Sequence, residues 1–356
     1  MSVHLIDAPS ALQRLQTFDA ILDARSEGEY ALDHLPGAEN WPSLNDVERI
    51  QVGTLYKQVS PFEAQKIGAA LVAANISRHI LAHVMDKPKS WKPLVYCWRG
   101  GKRSNSLALI LGQIGFHVTL IEGGYKAFRS ALVQDIPKRV EPLQWRVLCG
   151  PTGSGKTRLL QVLEDEGAQV LDLEAIASHR ASVLGIIPGQ SQPTQKAFET
   201  HIWDALRRFD PARPIYVEAE SKKVGNVTLP DSLMEAMRQS PCVRLDLTVA
   251  HRVQLLMEDY DYFVKDPALF GERLDKLMDL RGRAVVENWK AQAHAGHTAE
   301  VVAELLEQHY DPGYESSTAR NFKHYASSLP LHLDGPGHQD MVKAAQTLLR
   351  SESSLR

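Results

Sequence analysis

The sequence predicts two α/β units with parallel sheets, the second carrying a helical C-terminal extension. Three observations lead there. From Asp19 to Ile136 short apolar runs alternate with helical spacings, the same rhythm restarts at Trp145, and from Thr248 onward helical spacing dominates. At 356 residues the chain has room for two domains of roughly 100 to 200 residues each.

In the first unit "AILDAR", "LVYC" and "VTLIEG" read as strands, while "PFEAQKIGAALVAAN" and "SNSLALILGQIG" repeat apolar residues at helical spacing. The stretch "QDIPKRVEPLQ" has two prolines, mixed charges and no periodicity, which suits a linker. "WRVLCG", "AQVLDLE", "RPIYVEAE" and "CVRLDLT" then supply four strands separated by helical stretches. The expected boundaries are 1–137 for the first unit, 138–144 for the linker, 145–350 for the second unit with its extension, and 351–356 for a disordered tail, "SESSLR". In the extension Val253, Leu256, Tyr260 and Phe263 share one helical face; such stripes ordinarily pack as core, and an apolar pocket is the alternative.

Composition narrows the class. Three cysteines, Cys97, Cys149 and Cys242, allow no even disulfide framework and contain no CxxC pair, which points to a reducing compartment. The opening "MSVHLIDAPSALQRL" lacks the basic region and apolar core of a secretion signal, and no run approaches the roughly 18 apolar residues of a membrane span. A soluble, cytoplasmic protein without a membrane partner is therefore expected. A net charge of −3 neither supports nor excludes a nucleic-acid partner, since a local basic patch escapes that sum.

"LCGPTGSGKTRLLQVLEDEG" places Gly150, Gly153, Ser154, Gly155, Lys156 and Thr157 in the G-x-x-x-x-G-K-T order, after a strand and before an amphipathic helix. Its glycines let successive N–H groups face one anion, the helix N-terminus adds its dipole, Lys156 reaches an outer phosphate and Thr157 is placed to ligate magnesium. The loop reads a polyphosphate and not a base, so a diphosphate ester fits as well as ATP. Among the acids at strand ends, Glu218 is the first choice to hold magnesium through water or to support a diphosphate. Asp172, Glu220 and Asp246 come after it, and each could instead cap the next helix. Cys149 and Cys242 read as core.

In "LVYCWRGGKRSN" Cys97 ends a strand and faces the N-terminus of the next helix, two glycines, and Arg99, Lys102 and Arg103. All of these favour a thiolate, which makes Cys97 a candidate nucleophile, with Arg99 and Arg103 placed to hold an oxyanion; Arg103 could also brace the loop. Cys97 to Arg103 is a C-x5-R spacing.

These residues resemble a family. "ILDARSEGEYALDHLPGAENWP" is similar to the opening signature of rhodanese domains, through Asp23, Arg25, Glu29, His34, Pro36, Gly37 and Ala38, and "EGGYKAF" resembles their closing one. Rhodanese-type cysteines carry sulfur or selenium as a persulfide or perselenide, which the resemblance implies for Cys97. The C-x5-R loop is one residue longer than the usual sulfurtransferase loop and resembles the phosphatase branch of that fold. A rhodanese-like unit followed by a P-loop NTPase-like unit, then "LEAIASHRASVLG", "QPTQKAFE" and "VEAESKKVGNVTLPDSL", resembles the bacterial tRNA 2-selenouridine synthase family over nearly the whole chain. The resemblance implies a transferase acting on wobble 2-thiouridine in tRNAs for lysine, glutamate and glutamine. It implies S-geranylation from geranyl diphosphate, then replacement by selenium from selenophosphate; no tightly bound cofactor is expected, and magnesium at Thr157 is the candidate ion read from the loop itself. "RLDKLMDLRGRAVVENWKAQ" offers basic residues for the tRNA, or an ordinary solvated helix. The competing readings are a C-x5-R phosphatase or sulfurtransferase fused to a P-loop kinase or ATPase, and a nucleotide-controlled scaffold.

Overall fold

The computed structural model describes residues 3–180, 185 and 187–353. They divide between two compact units, bounded as Met1–Lys138 with Pro193–Asp204 and as Arg139–Gln192 with Ala205–Arg356.

In the first unit β1 (Val3–Ile6), β2 (Ala20–Asp23), β3 (Ala38–Asn40), β4 (Pro93–Tyr96) and β5 (Val118–Ile121) form, among the described residues, an all-parallel sheet in the order β1-β5-β4-β2-β3. Every residue of β4 is buried, as a central parallel strand covered on both faces requires. Leu22, Val95, Leu107, Leu111 and Leu120 form its core with Trp41 and Trp91. The helices Pro61–His83 and Lys102–Ile114 match the two helical spacings. The edge strands β1 and β3 go beyond the sequence reading.

The second unit holds β6 (Gln144–Cys149), β7 (Gln169–Leu171), β8 (Pro214–Glu218), the short antiparallel ribbon β9 (Lys223–Val224) and β10 (Val227–Thr228), β11 (Cys242–Asp246) and β12 (Leu329–His332). The main sheet is parallel in the order β12-β11-β6-β8-β7. The four expected strands are present. β12 is a fifth, hidden from pattern reading because it is short, carries Pro330 and lies at the sheet edge, where a missing N–H costs least. Cys149 and Cys242 are buried free thiols in this sheet. A separate apolar cluster, centred on Phe270, Leu274, Trp289 and Leu305, holds the helical extension together.

Three expectations are corrected. The helix Gly124–Val140 passes through Pro137 and takes in the first part of the expected 138–144 linker. Pro137 and Val133 both lie on the exposed face near the helix end, so the carbonyl that loses its partner can be hydrated. The helix Gln195–Leu206 was expected to belong with the second unit, yet residues 193–204 pack with the first. Trp203 meets Phe128 edge to face at 6.2 Å and donates to Asp135 at 2.8 Å, while Thr200 donates to Asp33 at 3.2 Å. Finally, the helix His338–Ser353 takes in the first half of the expected disordered tail; 354–356 lie outside the described residues.

Candidate functional site

Cys97 directly follows β4 and opens the loop that ends in the helix Lys102–Ile114. It is buried, with 3% exposure. Its sulfur accepts a hydrogen bond from Ser104 Oγ at 3.0 Å and lies 3.8 Å from the Gly101 carbonyl. The loop is locked from the other side by the closing signature: Tyr125 N donates to Cys97 O at 2.8 Å and Lys126 N to Trp98 O at 3.0 Å. Gly124 makes that approach possible. Its φ is +57°, and a Cβ there would stand 2.2 Å from Cys97 O.

The opening signature turns out to be scaffold. Arg25 and Asp23 form a buried ion pair at 2.6 Å, Arg25 also donates to Asp33 O, and Tyr96 OH donates to Asp23 at 2.7 Å. Asp23 and Tyr96 are register partners on β2 and β4, so this network fixes the strand end from which Cys97 projects. Of the two candidate anion holders, Arg99 is exposed at the loop tip, and Arg103 is fixed by Glu29, with nitrogens 2.6 and 3.3 Å from its two oxygens. The bracing role weighed for Arg103 is what the geometry shows. Burial works to raise the Glu29 pKa, but the pairing with Arg103 and the bonds from Ser26 outweigh it and hold that carboxyl below its ordinary range.

Lys196 comes to this site from the 193–204 segment: its Nζ lies 5.9 Å from the Trp98 ring centre. Arg129 and Glu199 form an ion pair that anchors the same helix.

The second motif occupies the turn between β6 and the helix Lys156–Asp165. Lys156 Nζ donates to Gly150 O at 2.7 Å, and Gly155 takes φ +87° where a Cβ would meet Met341. Three residues that motif reading missed brace this loop. Arg252, 4% exposed, donates to Thr152 O at 2.9 and 2.7 Å and pairs with both oxygens of Asp311. The third, Tyr314, accepts from Gly150 N at 2.6 Å through its hydroxyl. Their only sequence signal is that a buried arginine needs paired oxygens, and spacing does not say which.

The acids sort themselves. Asp172 caps the helix Leu173–Ala177 by accepting from Ala175 N, the structural role weighed for it. Asp246 on β11 pairs with His332 at the exposed sheet edge. Glu218 is fully buried; one oxygen accepts from Glu174 N at 2.9 Å and the other has no hydrogen-bond partner. Burial, then the Glu174, Asp172 and Glu220 charges, push its pKa well above the ordinary carboxylate value. Glu220 is pushed up to about 8, chiefly by burial and by Glu174. Thr157 Oγ1 donates to Glu174 at 3.2 Å, so Glu174, unnoticed in the sequence, is an acid in direct hydrogen-bond contact with the motif threonine. Among the described residues no group of three or more acid, histidine or cysteine side chains is arranged to hold a metal by itself. A magnesium ion here would therefore lean on phosphate oxygens and water besides Thr157, with the unpartnered Glu218 oxygen as acceptor behind it.

In "RLDKLMDLRGRAVVENWKAQ" Lys290 pairs with Asp275 at 2.9 Å and Arg281 donates to His309, so part of that positive charge is spent internally. The segments "HRAS" and "LEAIASHRASVLG" fall partly outside the described residues.

A rhodanese-like unit with a cysteine loop, continued by a P-loop unit with a phosphate cradle, defines a two-unit enzyme class. The Rhodanese-like domain model matches residues 7–131, and the tRNA 2-selenouridine synthase AAA domain model matches residues 143–267. The chain is similar to the tRNA 2-selenouridine synthases of Marinobacter nauticus (31% identity, 83% of this chain, 87% of the relative) and Alcanivorax borkumensis (33%, 84% and 90%). To that of Nitrosomonas europaea it is 39% identical over 67% of this chain, spanning 63% of the relative. The chain belongs to the tRNA 2-selenouridine synthase family, and it is an enzyme.

Proposed function

We propose that this enzyme converts wobble 2-thiouridine in tRNA to 2-selenouridine by S-geranylation followed by selenium exchange. The observation that carries the reading is the pairing, in one chain, of a buried cysteine in a loop locked by the rhodanese signatures with a braced phosphate loop that reads no base. The substrates are tRNAs for lysine, glutamate and glutamine, geranyl diphosphate and selenophosphate, and the setting is the cytoplasm. No helix among the described residues is long and apolar enough to cross a membrane.

The first step forms a bond between the thiouridine sulfur and geranyl C1 as the C1–O bond breaks, releasing diphosphate. Charge grows on the leaving oxygens, and the amides of Gly153 to Thr157 with the Lys156 ammonium are placed to stabilise it. A magnesium ion held by Thr157, with Glu218 behind it, would supply further neutralisation. Alkylation also prepares the base: a thiocarbonyl sulfur would leave as a dianion, whereas the geranylthio group leaves as a thiolate.

In the second step selenium bonds to C2 and geranylthiolate departs. With selenophosphate as donor and water taking the phosphoryl group, this exchange is redox-neutral. Cys97 is assigned to carry the selenium, with Arg99 and Lys196 as the cations available to the phosphate group and Arg103 steadying the loop through Glu29. A Cys97 perselenide lies two electrons above selenide, so loading it from selenophosphate draws on a disulfide of Cys97 with a small thiol, which releases that thiol as the S–Se bond forms. Discharge to C2 then takes the same thiol back as reductant and restores the disulfide, and the cycle stays redox-neutral. The Arg103–Glu29 pair weighs against the phosphatase reading, in which that arginine must face the anion.

The test is incubation of the full chain with 2-thiouridine tRNA and geranyl diphosphate without ATP. Diphosphate release and a geranyl adduct are expected; an absolute need for ATP contradicts the reading.

A further inference from the structure

Next to the phosphate loop the second unit contains a narrow cleft with about 40 Å³ of internal space, open to solvent at its mouth. Thr152 of the loop forms part of its wall, and Gly153 backs onto Leu256, so closely that a Cβ at 153 would stand 2.9 Å from that side chain. Beyond Leu256 the wall is Phe263, Phe270, Val302 and Leu305. Phe263 and Phe270 stack with ring centres 5.1 Å apart and belong to the buried cluster around Trp289, which makes that end firm. Val264, 41% exposed, lines the cleft where it meets solvent. Three residues of the stripe Leu256, Tyr260 and Phe263 that pattern reading assigns to core therefore face a cleft.

Interiors are packed at crystal density, so a narrow apolar cleft open to solvent beside an anion-binding loop suits an occupant with an anionic head and a slender apolar body. A nucleobase does not fit that description, because its edges need donors and acceptors and this lining offers few. We infer that the cleft holds the hydrocarbon tail of an isoprenyl diphosphate whose head occupies residues 150–157, and that the Phe263–Phe270 end limits tail length. The inference rests on the prenyl-diphosphate reading above and adds to it a tail site and a length selector.

The experiment is calorimetric binding of geranyl diphosphate and of inorganic diphosphate to the full chain, with prenyl transfer followed in parallel. The wild type should prefer geranyl diphosphate by on the order of 100-fold. Val302→Trp, which fills the cleft, should keep inorganic diphosphate affinity within about twofold and cut the preference below roughly tenfold. Val264→Trp at the exposed rim gives the same readout should Val302→Trp fail to fold. Phe270→Leu should raise farnesyl over geranyl transfer by at least about fivefold. Equal wild-type affinity for the two ligands, or filled variants that keep the preference, overturns the tail site. A wild type that shows the binding preference but transfers no prenyl group supports the cleft and overturns the transfer reading instead.

Discussion

The Arg103 guanidinium rests on both carboxylate oxygens of Glu29, joining the first turn of the helix after the cysteine loop to the helix that opens with the rhodanese signature. Glu29 in turn accepts from Ser26 N in a capping box. Glu29→Gln removes the charge that holds Arg103, at a cost of about 1 to 3 kcal/mol for a charge-assisted pair. The expected result is a loss of roughly tenfold in selenium exchange with prenyl transfer within about twofold of wild type, in single-turnover assays. The depressed Glu29 pKa sets the sign with pH: the pair's stabilisation is present above the ordinary glutamate value and is lost as pH falls through the lower folded value. Equal loss of both steps would show that Glu29 acts on the whole fold.

Glu220 carries the opposite sign. Its folded pKa is raised to about 8, so between the ordinary value of 4.5 and 8 the unfolded chain sheds a proton that the folded chain keeps. Stability therefore falls across that window and levels above it. Glu220→Gln removes this penalty. Melting curves should show little difference near pH 5 and a variant more stable by roughly 5 °C or more at pH 8.5; parallel curves would contradict the assignment.

The helix Gln195–Leu206 contributes Trp203 to the first unit, where it lies fully buried against Phe128. Trp203→Ala leaves a cavity and removes the hydrogen bond to Asp135, a loss of about 3 to 5 kcal/mol. Denaturant midpoints should drop accordingly, and selenium exchange should weaken because the same helix carries Lys196 toward Trp98. Trp203→Phe should recover most of the stability.

Much of this was legible in the sequence because strand-loop-helix motifs are local. Cys97 and the Gly150–Thr157 loop lie where their spacing put them, at strand ends facing helix N-termini. What was not legible depends on partners distant in sequence. Nothing in "QKAFETHIWDAL" says which core its apolar face will find, so its packing with the first unit could not be read. Glu174 and Asp172 are two residues apart, and only the turn of the short helix decides that one caps it while the other meets Thr157. Leu256 and Phe263 have the spacing of core residues, and a cleft wall has the same spacing.

The most direct test of the central claim is mass spectrometry of nucleosides from 2-thiouridine tRNA incubated with geranyl diphosphate and selenophosphate, comparing wild type, Cys97→Ser and Lys156→Ala. Two sites with separate duties predict 2-selenouridine from the wild type, accumulated geranylthiouridine from Cys97→Ser, and largely unreacted 2-thiouridine from Lys156→Ala. Selenouridine formed at the normal rate by Cys97→Ser, or geranylation unchanged in Lys156→Ala at low geranyl diphosphate, would contradict the account.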